Sequence, residues 1–187
     1  MVQIPQKTLT LAEFLKLPET KPASEFIDGQ ITQKPMPQGQ HSRLQGKLVT
    51  AINAVTEDQK IALAFPELRC TFRGRSTVPD IAVFTWDRIP RNDRGQVANR
   101  FEAAPDWSIE ILSPEQSQNR LTRNLLHGLK HGTQLGWIID PDDETVLTYP
   151  AGQAPEFFEE ATDILPVPNF AIELQLALGN LFAWLKL

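Results

Sequence analysis

A mixed β-sheet with helices on its faces is the α/β fold this sequence predicts, and three observations predict it. Short apolar runs bounded by proline or turn residues, such as Val78-Pro79-Asp80-Ile81-Ala82-Val83-Phe84 and Pro105-Asp106-Trp107-Ser108-Ile109-Glu110-Ile111-Leu112, have the length and flanks of buried strands. Other stretches repeat apolar residues every three or four positions, the period of an amphipathic helix. Between Thr77 and Asp140 the order is strand, strand, helix, strand, which layers helices on a sheet.

The elements follow in order. Thr10-Leu11-Ala12-Glu13 has capping-box spacing, so a short helix starts there and runs to Leu17, before Pro18. Ser24 to Thr32 reads as a hairpin turning at Asp28-Gly29. From Gln40 to Asp58 the stripe Leu44, Leu48, Ile52, Val55 predicts a helix, with His41 in its first turn as a solvated or capping imidazole. Ile61–Phe65 and Leu68–Arg73 are strand-like and lead through Gly74 to the strand of Asp80. Arg88 to Arg100 is polar and arginine-rich, the pattern of an exposed, mobile loop shaping access to a site. After the Glu110 strand, Ser113-Pro114-Glu115 opens a helix with proline at its first position, ending at Gly132. Gln134–Asp140 is a third buried strand, Glu144–Tyr149 its hairpin partner, Asp163–Val167 a further strand, and Ile172–Leu185 a closing helix that packs on the sheet.

Composition bounds the function. At 187 residues, with 41% hydrophobic and 22% charged, the chain fits a single domain over residues 1–187. No apolar run spans a membrane and Met1–Lys7 lacks a signal-peptide core, so a cytoplasmic protein is expected. The single cysteine, Cys70, excludes an internal disulfide and a cysteine zinc site, and is expected as a small buried hydrophobe. A net charge of -5 argues against broad nucleic-acid affinity, leaving only local contacts to phosphate. Phosphate-loop, nucleophile-elbow and dinucleotide fingerprints are absent.

The chemistry-bearing residues are Asp80 and Glu110, each a lone carboxylate in a strand that should be buried. At about 4 Å separation and an effective dielectric of about 20, they would repel by roughly 4 kcal/mol. A divalent cation removes that penalty, and hard oxygen ligands without thiols point to Mg²⁺ or Mn²⁺. The plainer alternative has Asp80 as a turn residue and Glu110 meeting a lysine or arginine.

Pro79-Asp80, followed about thirty residues later by Glu110-Ile111-Leu112 and then a helix, resembles the PD-(D/E)XK nuclease superfamily. Four stretches extend the resemblance to a bacterial restriction-endonuclease family abundant in cyanobacteria. They are Glu25–Gly29, Val78–Val83, Ile109–Pro114 and His131–Pro141. The resemblance implies a restriction-endonuclease-like central mixed sheet, an Mg²⁺ site at Asp80 and Glu110, and hydrolysis of DNA phosphodiester bonds, with Glu25 completing the metal shell or orienting a ligand. By analogy with enzymes that cut both strands, it also suggests a homodimer.

The sequence departs from the superfamily at the lysine. Leu112 stands two residues after the glutamate, and Asn124 stands where much of the smaller family carries its migrated lysine. Arg120, Arg123 or Lys130 on the following helix could supply the charge, or they could form a solvated face. Glu25 could equally pair with an arginine, and Arg69, Arg73 and Arg75 could meet phosphates or simply be a wet strand face. His127 and His131 have metal-binding spacing but no third ligand nearby. The competing functional reading is a non-catalytic binding module on the same fold; a third is a structural protein whose acids form salt bridges.

Overall fold

The computed structural model describes residues 9–114 and 116–187; Met1–Lys7 and Glu115, which entered the expectations above, lie outside them. Two sheets build the fold. A four-stranded antiparallel sheet contains β1 (Ser24–Ile27), β2 (Gln30–Gln33), β4 (Cys70–Phe72) and β5 (Arg75–Thr77), in the order β2-β1-β5-β4. A mixed six-stranded sheet contains β3 (Ala62–Pro66), β6 (Ile81–Thr85), β7 (Trp107–Ile111), β8 (Leu135–Asp140), β9 (Thr145–Pro150) and β10 (Glu156–Phe158), in the order β10-β9-β8-β7-β6-β3.

The larger sheet is antiparallel except at β7 and β8, which pair in parallel across the helix α3 (Gln118–Leu129). A parallel pair needs such a crossover, and the helix packs back on the strands it joins. It comes close: a Cβ at Gly136 of β8 would lie 3.0 Å from Leu125 Cδ1 of α3. The opposite face is covered by α2 (Gly39–Thr56), whose Leu44, Leu48 and Ile52 are fully buried against Ile81, Val83, Ile109 and Trp137.

The remaining elements are local. A capping box between Thr10 and Glu13 starts α1 (Leu11–Phe14), as the spacing requires, and Phe14 stacks on Phe26 of β1. Asp28 and Gly29 turn the β1–β2 hairpin with φ of 51° and 83°, the two positive values of a type I′ turn. The C-terminal helix α4 (Leu178–Ala183) adds Leu178, Leu181 and Phe182 to the core.

Three expectations need correction, and one strand was not foreseen. Helix α3 begins at Gln118, with Ser117 as its N-cap, so Pro114 is not its first residue. Ser113 is held instead in a turn, its carbonyl accepting from Gln116 N–H and its N–H donating to Gln116 Oε1. Asp163–Val167 forms no strand, only a bridge from Ile164 to Ala177. The closing helix is six residues, and Leu174 and Leu176 are buried in irregular chain before it, since burial there needs no helical period. The strand β10 was not expected, because Glu156-Phe157-Phe158 is largely exposed at a sheet edge and has no alternation long enough to read.

The arginine-rich loop is tethered rather than loose at its base. Arg88 meets Asp106 at 2.6 Å and the Ala104 carbonyl at 2.8 Å, and Arg91 bridges to Val97. None of residues 88–100 lines the pocket over Asp80.

Candidate active site

Strand register brings the two acids together. In the antiparallel β6–β7 pair Ile81 faces Ile109, so one step along each strand sets Asp80 opposite Glu110. Side chains alternate, and Ile81, Val83, Ile109 and Ile111 fill the core under α2. Asp80 and Glu110 therefore share the other face, and each is only 2% exposed.

Between them stands a lysine that sequence patterns did not single out. Lys34 directly follows β2, and its Nζ lies 2.6 Å from Asp80 Oδ1, 3.7 Å from Glu110 Oε2 and 2.7 Å from the Val78 carbonyl. The hairpin delivers it: Phe26 of β1 pairs with Ser76 of β5, four residues before Asp80, and β2 lies along the far side of β1. Pro35 holds Lys34 extended, which continues the alternation that turns Thr32 and Lys34 inward. The alternative in which the acids meet a base thus describes this contact, although its lysine comes from the hairpin.

Asp80 is fully occupied. Its Oδ2 accepts from the Ile111 N–H at 2.7 Å and lies 3.1 Å from His41 Nε2, while Gln45 donates to its carbonyl. Against the burial that raises its pKa, Lys34 first, then His41 and the Ile111 N–H, pull it below the usual carboxylate value. His41 is thus a buried partner of Asp80 and not a solvated cap, and its Nδ1 has no partner among the described residues. Its position three residues before Leu44 continues the apolar stripe of α2, the signal that could have marked it as buried.

Glu110 has the opposite balance. Burial drives its pKa well above the ordinary value; Lys34 opposes this, and Asp80 and Glu25 add to it. Burial would discharge Lys34 too, but Glu110 and then Asp80 more than offset it and raise its pKa, so it stays an ammonium. Asp80 is its closer ion-pair partner, which leaves Glu110 as the carboxylate short of positive charge.

Glu25 completes the cluster at one remove. One carboxylate oxygen accepts from the Val78 N–H at 2.9 Å and the other from Arg120 at 2.8 Å, so it steadies the segment before Asp80. Arg120 is drawn inward by Glu25 and not by the Asp80–Glu110 pair. Arg123 on α3 and Lys130 just past its end are exposed, and among the described residues neither contacts the acids. Asn124 is buried, and its amide has no partner among the described residues.

Asp80 and Glu110 offer the hard oxygen donors a divalent ion takes, although Lys34, His41 and the Ile111 N–H hold the Asp80 oxygens here. Three buried carboxylates face two fixed positive charges, Lys34 and Arg120, and Glu110 carries the deficit. Mg²⁺ is characteristically held by one or two carboxylates with water filling the other positions. Among the described residues no group of three or more His, Cys, Asp or Glu side chains is arranged to hold an ion. Asp80 and Glu110 are the residues that would hold one.

Elsewhere, His127 stacks on Phe72 with ring centroids 5.0 Å apart, and His131 bonds to the His127 carbonyl at 2.8 Å. Burial and then Arg75 lower the His127 pKa. Cys70 is fully buried, and burial pushes its thiol up to about 12. No helix among the described residues is long and apolar enough to cross a membrane.

The family model for Uma2, described as "Putative restriction endonuclease", matches residues 11–179. No curated protein matches the chain. A crystal structure from Anabaena variabilis ATCC 29413, titled a putative nuclease belonging to DUF820, superposes with a TM-score of 0.93 at 60% identity. The alignment covers 95% of this chain and 99% of that one.

Proposed function

Since the chain belongs to the Uma2 family, we propose that it is a metal-dependent endonuclease that hydrolyses DNA phosphodiester bonds, with Asp80 and Glu110 holding the ion and Lys34 as the catalytic cation. The observation that carries this reading is the convergence of Asp80 and Glu110 at facing strand positions with Lys34 Nζ between them, Asp80 and Lys34 lining a pocket that opens beside Ser113 and Gln116. Mg²⁺ or Mn²⁺, when bound, supplies a water of lowered pKa and offsets charge on the attacked phosphate.

The chain's own residues do the rest. Lys34 remains charged, so it serves as a donor that positions a phosphate oxygen or the attacking water, and it stabilises charge as the transition state develops. It is not a proton acceptor. Ile111 N–H and His41 hold the Asp80 carboxylate in one orientation, and Gln45 holds its backbone. Glu25 and Arg120 fix the Val78 turn that carries Asp80. Lys34 favours catalysis over a fold kept only for binding, because the charge missing at Leu112 and Asn124 is present from another strand.

The test is plasmid nicking with Mn²⁺ or Mg²⁺ by wild type, Glu110→Ala and Asn124→Lys. Nicking that vanishes in Glu110→Ala supports the reading; equal nicking by wild type and Glu110→Ala sinks it. Asn124→Lys is expected to gain nothing, since Lys34 already occupies the acid pair. A metal prediction is independent of turnover. Millimolar Mn²⁺ should raise the melting temperature of wild type but not of Asp80→Ala, and an ion at a hundred times its Kd would stabilise by about 2.7 kcal/mol. An identical melting temperature with and without metal would remove the ion from the proposal.

A further inference from the structure

The shallow pocket between the β1–β2 hairpin and α3 is separate from the pocket over Asp80. It has a volume of about 280 Å³ and is lined by Asp28, Thr32, Arg75, Arg120, Arg123 and Asn124 among others. Its chemistry is unusual for a chain with a net charge of -5: three guanidiniums converge against one lining carboxylate. Asp28 engages Arg75 at 2.8 Å and 3.1 Å, and Arg120 is held by Glu25. Arg123 has no hydrogen bond or ion pair among the described residues, although it shares this pocket with two other arginines.

Asn124 lines the same pocket, but its amide atoms are enclosed, so the guanidiniums carry the recognition. Their N–H groups match the acceptor oxygens of a phosphate, which arginine binds through its planar fork.

We propose that this pocket binds a backbone phosphate of the nucleic acid flanking the one cut, through Arg123 with Arg75 beside it. The inference rests on the endonuclease reading and names where that substrate is gripped. Its position supports it: Thr32 lines this pocket and Lys34, two residues further along the same strand direction, lines the pocket over Asp80. Arg120 joins the two, since it lines the phosphate pocket while its guanidinium holds Glu25. Phosphate contacts of this kind position a duplex without reading its sequence.

The test uses full-length Glu110→Gln, which should not cut, and measures binding of a fluorescein-labelled DNA duplex by anisotropy over a range of salt. Adding Arg123→Ala is expected to weaken binding about tenfold, the order of one charged hydrogen bond. It should also make the slope of log K against log salt shallower by about one. Arg94→Ala, in the distant loop, is the surface-charge control and should change neither. Arg123→Glu adds a second measurement: reversing the charge at this exposed position should weaken DNA binding further while the melting temperature holds. Affinity and salt slope unchanged in both Arg123→Ala and Arg123→Glu would overturn the proposal, even if wild type nicks plasmid. Arg123-dependent binding in a protein that never nicks would instead sink the endonuclease reading and leave the phosphate pocket standing.

Discussion

Lys34→Met is expected to lower both stability and nicking more than any other single change on the hairpin. The substitution keeps the length of the side chain and removes its charge, leaving Asp80 and Glu110 facing each other with no cation between them. Breaking a buried ion pair by removing one partner typically costs about 3–5 kcal/mol. In a chain of this size each 1 kcal/mol is worth about 2–4 °C, so the melting temperature should fall by roughly 10 °C. Nicking should fall by about two to three powers of ten, the usual effect of removing a positioned charge from a water-excluded site. The pH dependence carries a sign. Because the folded Lys34 pKa is raised above its ordinary value of 10.5, its stabilisation is fully present below that value and is lost as pH rises through the folded one. Wild type should therefore keep this contribution throughout the neutral range. Thermal melts of wild type and Lys34→Met at pH 7 check it, and equal melting temperatures would mean that Lys34 does not hold the acids.

Glu110→Gln should do the reverse to stability while abolishing nicking. The folded Glu110 pKa lies well above the ordinary 4.5, so at neutral pH burying this carboxyl group is a cost that the unfolded chain does not bear. That cost is absent below about pH 4.5 and grows as pH rises from there through the folded pKa. Glutamine keeps the shape and removes the charge, and Lys34 remains paired with Asp80. Without metal, Glu110→Gln should melt a few degrees above wild type at pH 7, about 2–4 °C for each 1 kcal/mol recovered. The difference should close toward pH 4. Added Mn²⁺ should narrow it from the other side by stabilising wild type alone. The two substitutions are also coupled through one cluster. Combined with Glu110→Gln, Lys34→Met should cost less than it does alone, because one fewer carboxylate is left unpaired. Strict additivity would show that Lys34 and Glu110 do not interact.

The opposed effects have one physical origin: Lys34 lies closer to Asp80 than to Glu110, so Asp80 is stabilised as an anion and Glu110 is not.

By itself the sequence determined the parts whose cause is local. The capping box at Thr10, the Asp28-Gly29 hairpin turn, the apolar stripe of α2 and the proline-bounded strands of Asp80 and Glu110 are each set by a few neighbouring residues. That the two lone acids belong together followed from their strands, since a buried carboxylate demands a partner whatever surrounds it. Only the tertiary structure decided what that partner is. Lys34 lies 46 residues from Asp80 and 76 from Glu110 in sequence, and no short-range pattern links a lysine before Pro35 to either acid. The link comes from two strand pairings, β2 with β1 and β1 with β5, which carry the hairpin to the segment leading into Asp80. The same pairings draw Arg120 to Glu25 and leave Arg123 and Lys130 outside the acid pair, although all three basic residues share one helix. Helical spacing says which residues share a face, but not what that face meets. His41 and Asn124 continue the buried stripes of α2 and α3, so spacing marks them as inward-facing, and only the tertiary structure decides that His41 meets Asp80.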